Sequence, residues 1–159
     1  NYGAVPGDDV QAKERFGVSN KGGGDGLVGT NISFNNISAT PADGNGVAES
    51  RLVWSHLRAA GLIKGTSTGD DGVKQPGNPF GGIFGIQDGA FTTNGIPRGT
   101  NVVCFNSIPG SAATIIDQRQ DDGEPDTGNI RAVSGTEVNT SAASAYVETN
   151  VYILCTRAL

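Results

Sequence analysis

The chain has no methionine, only two cysteines and a single histidine among its 159 residues. Two cysteines without neighbouring ligand pairs do not form a zinc site of the usual four-ligand kind. A Ser–His–Asp hydrolase would have to use His56, which the helical pattern places on a buried helix face. We therefore predict that the protein is not an enzyme.

Long apolar runs and an excess of positive charge are also absent. No stretch approaches the roughly 20 apolar residues of a membrane-spanning helix, and no signal-peptide pattern is present. The chain has 16 acidic and 11 basic residues, a net charge of −5, which repels phosphate backbones. We expect the chain as given to be soluble, and we do not expect nucleic acid as a partner.

Glycine, in contrast, is abundant, with 25 residues against a usual share of about 7%. A glycine in a helix interior costs up to about 1 kcal/mol, so the composition disfavours a helical bundle. At this length we expect one domain, residues 1–159, that buries roughly 70% of its unfolded surface. Strands and short helices joined by long loops are the expected elements.

The clearest helical pattern is VAESRLVWSHLRAA at residues 47–60. At 100° per residue, apolar side chains such as Leu52 cluster on one side, and Gly61 follows where a C-cap glycine is common. His56 falls within this apolar arc, so we predict a buried structural histidine. Trp54 flanks the arc and is predicted to anchor the edge of the core. The opposite side carries Arg51, Ser55 and Arg58.

Two shorter helices are predicted elsewhere in the chain. One begins with Asp8 as N-cap and runs through Phe16; the other covers residues 110–120, with Ser111 as N-cap. The sequence NKGGGDG at residues 20–26 is predicted to be a flexible connector.

Strand patterns dominate the second half of the chain. A partly alternating stretch at 27–34 precedes the main helix, and four stretches follow it at 82–88, 100–106, 128–134 and 145–158. Helices segregated from strands, with one helix interrupting the strands, are typical of an α+β fold. We predict an antiparallel sheet of about four strands packed on a helix, with long glycine-rich loops.

Cys104 and Cys155 both lie in apolar strand-like runs, 51 positions apart. A buried pair of reduced thiols is one interpretation. We favour a disulfide, because the Gly-, Asn-, Thr- and Ser-rich composition is typical of an exported protein. The chain-entropy model values a bridge of this span at about 4 kcal/mol.

The stretch IIDQRQDDGEPDTGNIRA at residues 115–132 is strongly acidic. Calcium takes about six to eight oxygen ligands, and the candidate ligands here are Asp117, Asp121, Asp122 and Asp126. Their spacing is not that of an EF-hand loop. The alternative is a turn in which aspartates bond their own backbone and Gly123 adopts a positive φ. We favour the turn; calcium is the one cofactor that the sequence suggests.

Several stretches, taken in order, resemble the globular domain of type IV pilins and the related pseudopilins. They are YGAVPGDD at 2–9, LVWSHLRAAGLI at 52–63, QPGNPFGG at 75–82 and IIDQRQDDGEPDTGNIRA at 115–132. Together they span most of residues 2–132. The acidic stretch resembles the family segment that links a short helix to a strand, which agrees with the turn interpretation.

The resemblance implies a structural subunit of a bacterial, extracellular filament, the type IV pilus. In that family a long apolar N-terminal helix packs in the filament core, and a four-stranded antiparallel sheet faces outward. A disulfide often pins the C-terminal region, a role that Cys104 and Cys155 match. The apolar helix is missing from this sequence. We expect it either to precede residue 1 in the full-length protein, which we favour, or to belong to a separate small chain.

The expected partners are other pilin subunits, with membrane contact only through the missing helix. The loops 19–30 and 64–82 are expected to form an exposed, adhesive surface that contacts a surface or a glycan. Alternative functions are a pseudopilin of a type II secretion system, a free-standing secreted, calcium-stabilised lectin-like module, and a soluble hydrolase. Asn-x-Ser frames occur at Asn31, Asn36 and Asn139.

Overall fold

A computed structural model describes residues 3–29, 48–135 and 140–158. Within these ranges the elements are α1 Ala12–Phe16, α2 Glu49–Ala59, α3 Gly69–Gly72, β1 Phe84–Ala90, β2 Ile96–Pro109, α4 Gly110–Gln120, β3 Ile130–Ser134 and β4 Val151–Arg157. All strand pairs are antiparallel, and the strand order is β1-β2-β4-β3. The predicted α+β class with a four-stranded antiparallel sheet is confirmed.

A disulfide joins the two central strands of the sheet. Cys104 of β2 lies directly opposite Cys155 of β4, and their Cα atoms are 4.0 Å apart. So short a spacing is that of a non-hydrogen-bonded pair, in which side chains approach most closely. The predicted bridge is confirmed.

Both longer helices pack on the same face of the sheet. The register places Phe84 opposite Phe105 and Phe105 opposite Leu154, so these three side chains share one face. Phe84 packs with Val53 of α2. Phe105 and Leu154 belong to the apolar cluster that includes Ala113 of α4.

Within the described ranges, loops rather than helices cover the opposite face. Its buried cluster contains Ala90, Phe91, Ile96, Val102, Cys104, Val133, Ile153 and Cys155. Ile83 and Ala142, both outside the strands, pack against this cluster. Phe91, Ile83 and Ala142, which lie outside the strands, therefore complete the core on this face.

The helix α2 lies close to its predicted bounds, and Gly61 follows it with a φ of 71°. The Gly61 N–H donates to the Arg58 carbonyl oxygen at 3.0 Å, as expected near a helix C-terminus. The predicted polar side is not fully exposed. Ser55 is buried and donates its Oγ hydrogen to the Ser67 carbonyl oxygen at 2.6 Å, because the loop after α2 folds back over this side.

Both predicted N-caps are wrong. The helix α1 begins at Ala12 rather than beside Asp8, whose carboxylate has other partners described below. The helix α4 begins at Gly110, so Ser111 already lies inside it. In α4 the cause is that β2 continues to Pro109 and the helix follows without a loop.

Strand boundaries also differ from the prediction. β2 extends beyond residues 100–106 at both ends. β4 covers only the end of residues 145–158, because the preceding residues form a turn in which the Val147 N–H donates to the Tyr152 hydroxyl at 2.7 Å. The predicted strand at 27–34 lies mainly outside the described residues, and its described part is not a strand.

Candidate functional site

The acidic turn between α4 and β3 begins at a buried carboxylate. Asp117, near the end of α4, is fully buried. Its Oδ1 accepts the Gly123 N–H at 3.2 Å, and its Oδ2 accepts the Tyr146 hydroxyl at 2.5 Å. This one side chain therefore ties the helix, the turn and the segment before β4 together.

Burial controls the protonation of this pair. It raises the pKa of Asp117, and the hydrogen bond from Tyr146 offsets only part of the rise. Burial and the neighbouring carboxylate raise the pKa of Tyr146 in turn. Tyr146 consequently keeps its proton and remains a hydrogen-bond donor, while its ring packs edge-on against Tyr152 with 5.2 Å between centroids.

Asp121 and Asp122 bond groups within their own turn. Asp121 Oδ2 accepts the N–H of Ile130, the first residue of β3, at 2.7 Å. Asp122 accepts the Glu124 N–H at 3.0 Å and the Thr127 hydroxyl at 2.6 Å. The bond from Thr127 is the main cause that lowers the pKa of Asp122. The bond from the Glu124 N–H to Asp122 is that of an Asx turn.

Three of the four candidate calcium ligands come together. Asp117, Asp121 and Asp122 each place a carboxylate oxygen within 4.8 Å of the others. Asp126 is not in this group; its Oδ2 accepts a bond from Asn94 Nδ2 at 3.4 Å. Gly123 has a φ of 84°, as the turn interpretation predicts. The geometry is that of the turn, and it leaves three carboxylates that could hold a cation.

A second acidic group, which sequence reasoning missed, consists of Asp8, Asp25 and Glu49. Asp8 and Glu49 are buried, whereas Asp25 is exposed. Asp8 was predicted to be a helix N-cap, and Glu49 lies within the helix predicted at 47–60. The run of glycines at residues 22–26, between Asp8 and Glu49 in the chain, was the only sequence feature that could have indicated this group.

The two buried carboxylates hold the glycine-rich stretch that was predicted to be a flexible connector. Asp8 accepts backbone N–H groups from Gly24, Asp25 and Gly26. Glu49 accepts those of Gly23 at 2.6 Å and Gly29 at 2.9 Å. Burial raises the pKa of Glu49; the two N–H groups oppose this rise, and the charges of Asp8 and Asp25 add to it.

His56 joins α2 to the N-terminal segment, which we define as residues 3–7. The Gly7 N–H donates to Nδ1 at 2.9 Å, and Nε2 lies 3.2 Å from the Asn20 carbonyl oxygen. Because Nδ1 accepts, the neutral ring carries its proton on Nε2 and donates it to Asn20. The side chain is 2% exposed, which confirms the predicted burial, and burial lowers its pKa.

An apolar groove runs between α2, β1 and the N-terminal segment. It has a volume of about 250 Å³ and is lined by Val5, Pro6, Val28, Val53, Leu57, Ile86, Asn101 and Ala158. Asn101 is the one polar side chain among these, and its Oδ1 already accepts the Val28 N–H at 2.8 Å. The groove therefore suits an apolar partner better than an ionic ligand.

No helix in the part of the chain that the structure describes is both long and apolar enough to span a bilayer. Asn31, Asn36, Asn139 and Tyr2 lie outside the described residues. Comparison of the chain with protein-family models, with curated proteins and with solved structures found no match.

Proposed function

We propose that this chain is the globular domain of a filament subunit of the type IV pilin kind, which acts by assembly and surface display rather than by catalysis. The observation that carries the proposal is the position of α2, which lies on the sheet while the N-terminal segment lies on α2. Val5 packs with Val53 and Trp54, and Gly7 is bound to His56. A segment that transmits force between a filament core and a globular domain requires this kind of attachment.

The apolar groove supports assembly through a helical partner. Leu57 and Val53 supply its α2 wall, Ile86 its β1 wall and Pro6 the edge formed by the N-terminal segment. In our proposal an apolar helix occupies this surface. It is either joined to residue 1 in the full-length protein or carried by a separate small chain, and it makes the main contacts between subunits.

The long loop after α2 supports a role in display. Arg58 Nη1 and Nη2 donate to the carbonyl oxygens of Gly72 and Lys74, each at 2.7 Å. Farther along, Asn78 Nδ2 donates to the Asn106 carbonyl oxygen at 2.8 Å, while Phe80 is exposed. A loop braced in this way presents a fixed surface. Together with the buried disulfide, it agrees with a location outside the cell.

The codons upstream of residue 1, and the neighbouring genes, test the proposal directly. A pilin requires an apolar stretch of about 20 residues preceded by a short basic leader. This stretch is expected directly ahead of Asn1 or in a short adjacent gene. An ordinary cleaved signal ending near Asn1, with no such helix in either place, would refute the proposal.

Substitution in the groove tests the helical partner. Leu57→Gln is expected to reduce the amount of this protein in sheared filaments at least about tenfold, since a buried leucine is worth about 1.5–3 kcal/mol. Ile115→Gln is the matched control, because Ile115 lies on α4, is 50% exposed and does not line the groove. Both purified variants should melt cooperatively. Equal filament yields from the two variants would show that the groove does not bind the helical partner.

Two alternative functions can be distinguished from a pilus subunit by experiment. A pseudopilin of a type II secretion system shares the architecture and is distinguished by genes for secretion rather than pilus assembly beside its own. A free-standing, calcium-stabilised binding module is favoured by one observation, the two acidic groups within metal-binding distance. Thermal melts in calcium and in chelator separate that module from a filament subunit.

A further inference from the structure

We propose that His56 is a pH-operated latch: protonation of its ring releases the N-terminal segment from α2 while the sheet stays folded. This inference goes beyond the proposed function and does not depend on it. It rests on the two hydrogen bonds of the ring and on the anchors that surround it.

The ring has no free position for a second proton. Nε2 already donates to the Asn20 carbonyl oxygen, and Nδ1 accepts the Gly7 N–H at 2.9 Å. A proton added at Nδ1 would place two donors face to face at that distance. The Gly7 bond must then break, because neither group can accept from the other.

The charges around the ring do not remove this conflict. From the N-terminal side Asp9 faces it across a small pocket, but Asp9 also accepts an ion-pair bond from Arg15 of α1 at 2.9 Å. Lys21 follows Asn20 in the chain. Glu49, Arg51 and Arg58 are the charged residues on α2 itself. Burial outweighs the attraction of Asp9 and lowers the pKa of the ring below its ordinary value of 6.5.

Within the segment Val5 also packs with Val53 and Trp54, so this apolar contact has to open together with the Gly7 bond. The release ends at Asp8, where stronger anchors begin. Asp8 accepts three backbone N–H groups. None of these bonds involves His56, so Asp8 stays in place when His56 gains a proton. Gly7 has a φ of 95° and serves as the hinge between the released segment and the anchored Asp8. Neither apolar cluster of the sheet includes His56. Release of Val5 and Pro6 would also take away one edge of the apolar groove.

Amide exchange of Gly7, followed by NMR together with the His56 ring nitrogens from pH 8 to pH 5, tests the latch. After correction for intrinsic exchange, the protection of Gly7 should be constant above about pH 6.5. Below it, protection should fall by about tenfold for each pH unit until the ring is charged. The ring should be the Nε2–H tautomer at neutral pH and charge in step with the loss of protection. Gly26 and Leu154 should stay protected.

The variant His56→Gln keeps an acceptor for Gly7 but does not titrate, so its Gly7 protection should not depend on pH. If this variant does not fold, the wild-type data still decide. The latch is overturned if His56 becomes charged while Gly7 stays protected, or if His56 stays neutral down to pH 5. It is equally overturned if Leu154 loses protection in the same step, because that result describes global unfolding.

Discussion

Cys104 and Cys155 face each other across β2 and β4 with their Cα atoms 4.0 Å apart, and neither side chain is exposed. β2 also pairs with β1, and β4 with β3, so the bridge lies at the centre of the sheet. It connects strands that are separated in sequence by α4, the acidic turn and β3. The disulfide therefore joins the two paired strands that are farthest apart in the sequence.

Loss of this bridge should lower the free energy of unfolding by about 4 kcal/mol, because the unfolded chain regains the entropy of a long loop. The double variant Cys104→Ala/Cys155→Ala, measured by urea denaturation against the oxidised wild type, gives the value. Each single variant should lose nearly as much as the double, since the bridge needs both partners. An unchanged midpoint after full reduction of the wild type would contradict this role.

Asp121 should matter more to stability than Asp126. Asp121 accepts the N–H groups of Asn129 and Ile130 where β3 begins, whereas Asp126 is bonded at 3.4 Å to one exposed side chain. Asp121→Ala should cost about 1–3 kcal/mol, because the part-buried N–H of Ile130 loses its acceptor. Asp126→Ala is the control and should stay within about 0.5 kcal/mol of wild type. Equal effects would contradict the turn that the structure shows.

Calcium should leave the melting temperature of the protein unchanged, because the carboxylates of Asp121 and Asp122 already accept bonds from their own turn. A ligand at 100 times its dissociation constant would add about 2.7 kcal/mol, which a melt in millimolar calcium against chelator readily detects. A rise that disappears in Asp121→Asn would instead place an ion at the acidic turn. A rise that persists in that variant would point to Asp25 and Glu49.

Arg58 should control access to the loop after α2. Its guanidinium donates to the carbonyl oxygens of Lys64, Gly72 and Lys74, and each bond from a charged donor is worth about 1.5–3 kcal/mol. In Arg58→Ala, tryptic cleavage after Lys64 and Lys74 should be at least about tenfold faster. Arg58→Lys keeps the charge but lacks the guanidinium that donates to several carbonyl oxygens at once, so it should give an intermediate rate. Cleavage after Arg119 in α4 is the internal control and should not change.

The raised pKa of Glu49 predicts the sign of a pH effect. A carboxyl group whose folded pKa lies above its unfolded value binds more protons in the folded state, so it adds stability as the pH falls through the folded value towards 4.5. The difference in unfolding free energy, wild type minus Glu49→Gln, should therefore grow from pH 7 to pH 4. His56 is present in both proteins and cancels. A difference that shrinks would show that the two N–H groups outweigh burial.

Patterns confined to a few neighbouring residues predicted a useful part of this protein. The apolar spacing around Leu52 predicted α2, and Gly61 predicted where it ends. Apolar strand-like runs at both cysteines predicted buried strands that could be bridged. Helix periodicity and residue type act over one or two turns, so the sequence alone carries this information.

The candidate sites depended on contacts that no local pattern contains. Gly7 and His56 are 49 positions apart, and Gly23 and Glu49 are 26 apart. Asp8 has the residue type of an N-cap, but tertiary contacts bring the N–H groups of the glycine-rich stretch to its carboxylate.

Local patterns were enough to predict the two longer helices, the four strands of the sheet, the α+β class and a cysteine pair that could be bridged, because periodicity and burial preference belong to each segment separately. The N–H groups that the buried acids bind, the face that the helices cover and the place of the apolar groove follow instead from the packing of distant segments. A buried polar atom must find a partner, and the choice of partner depends on how distant segments pack.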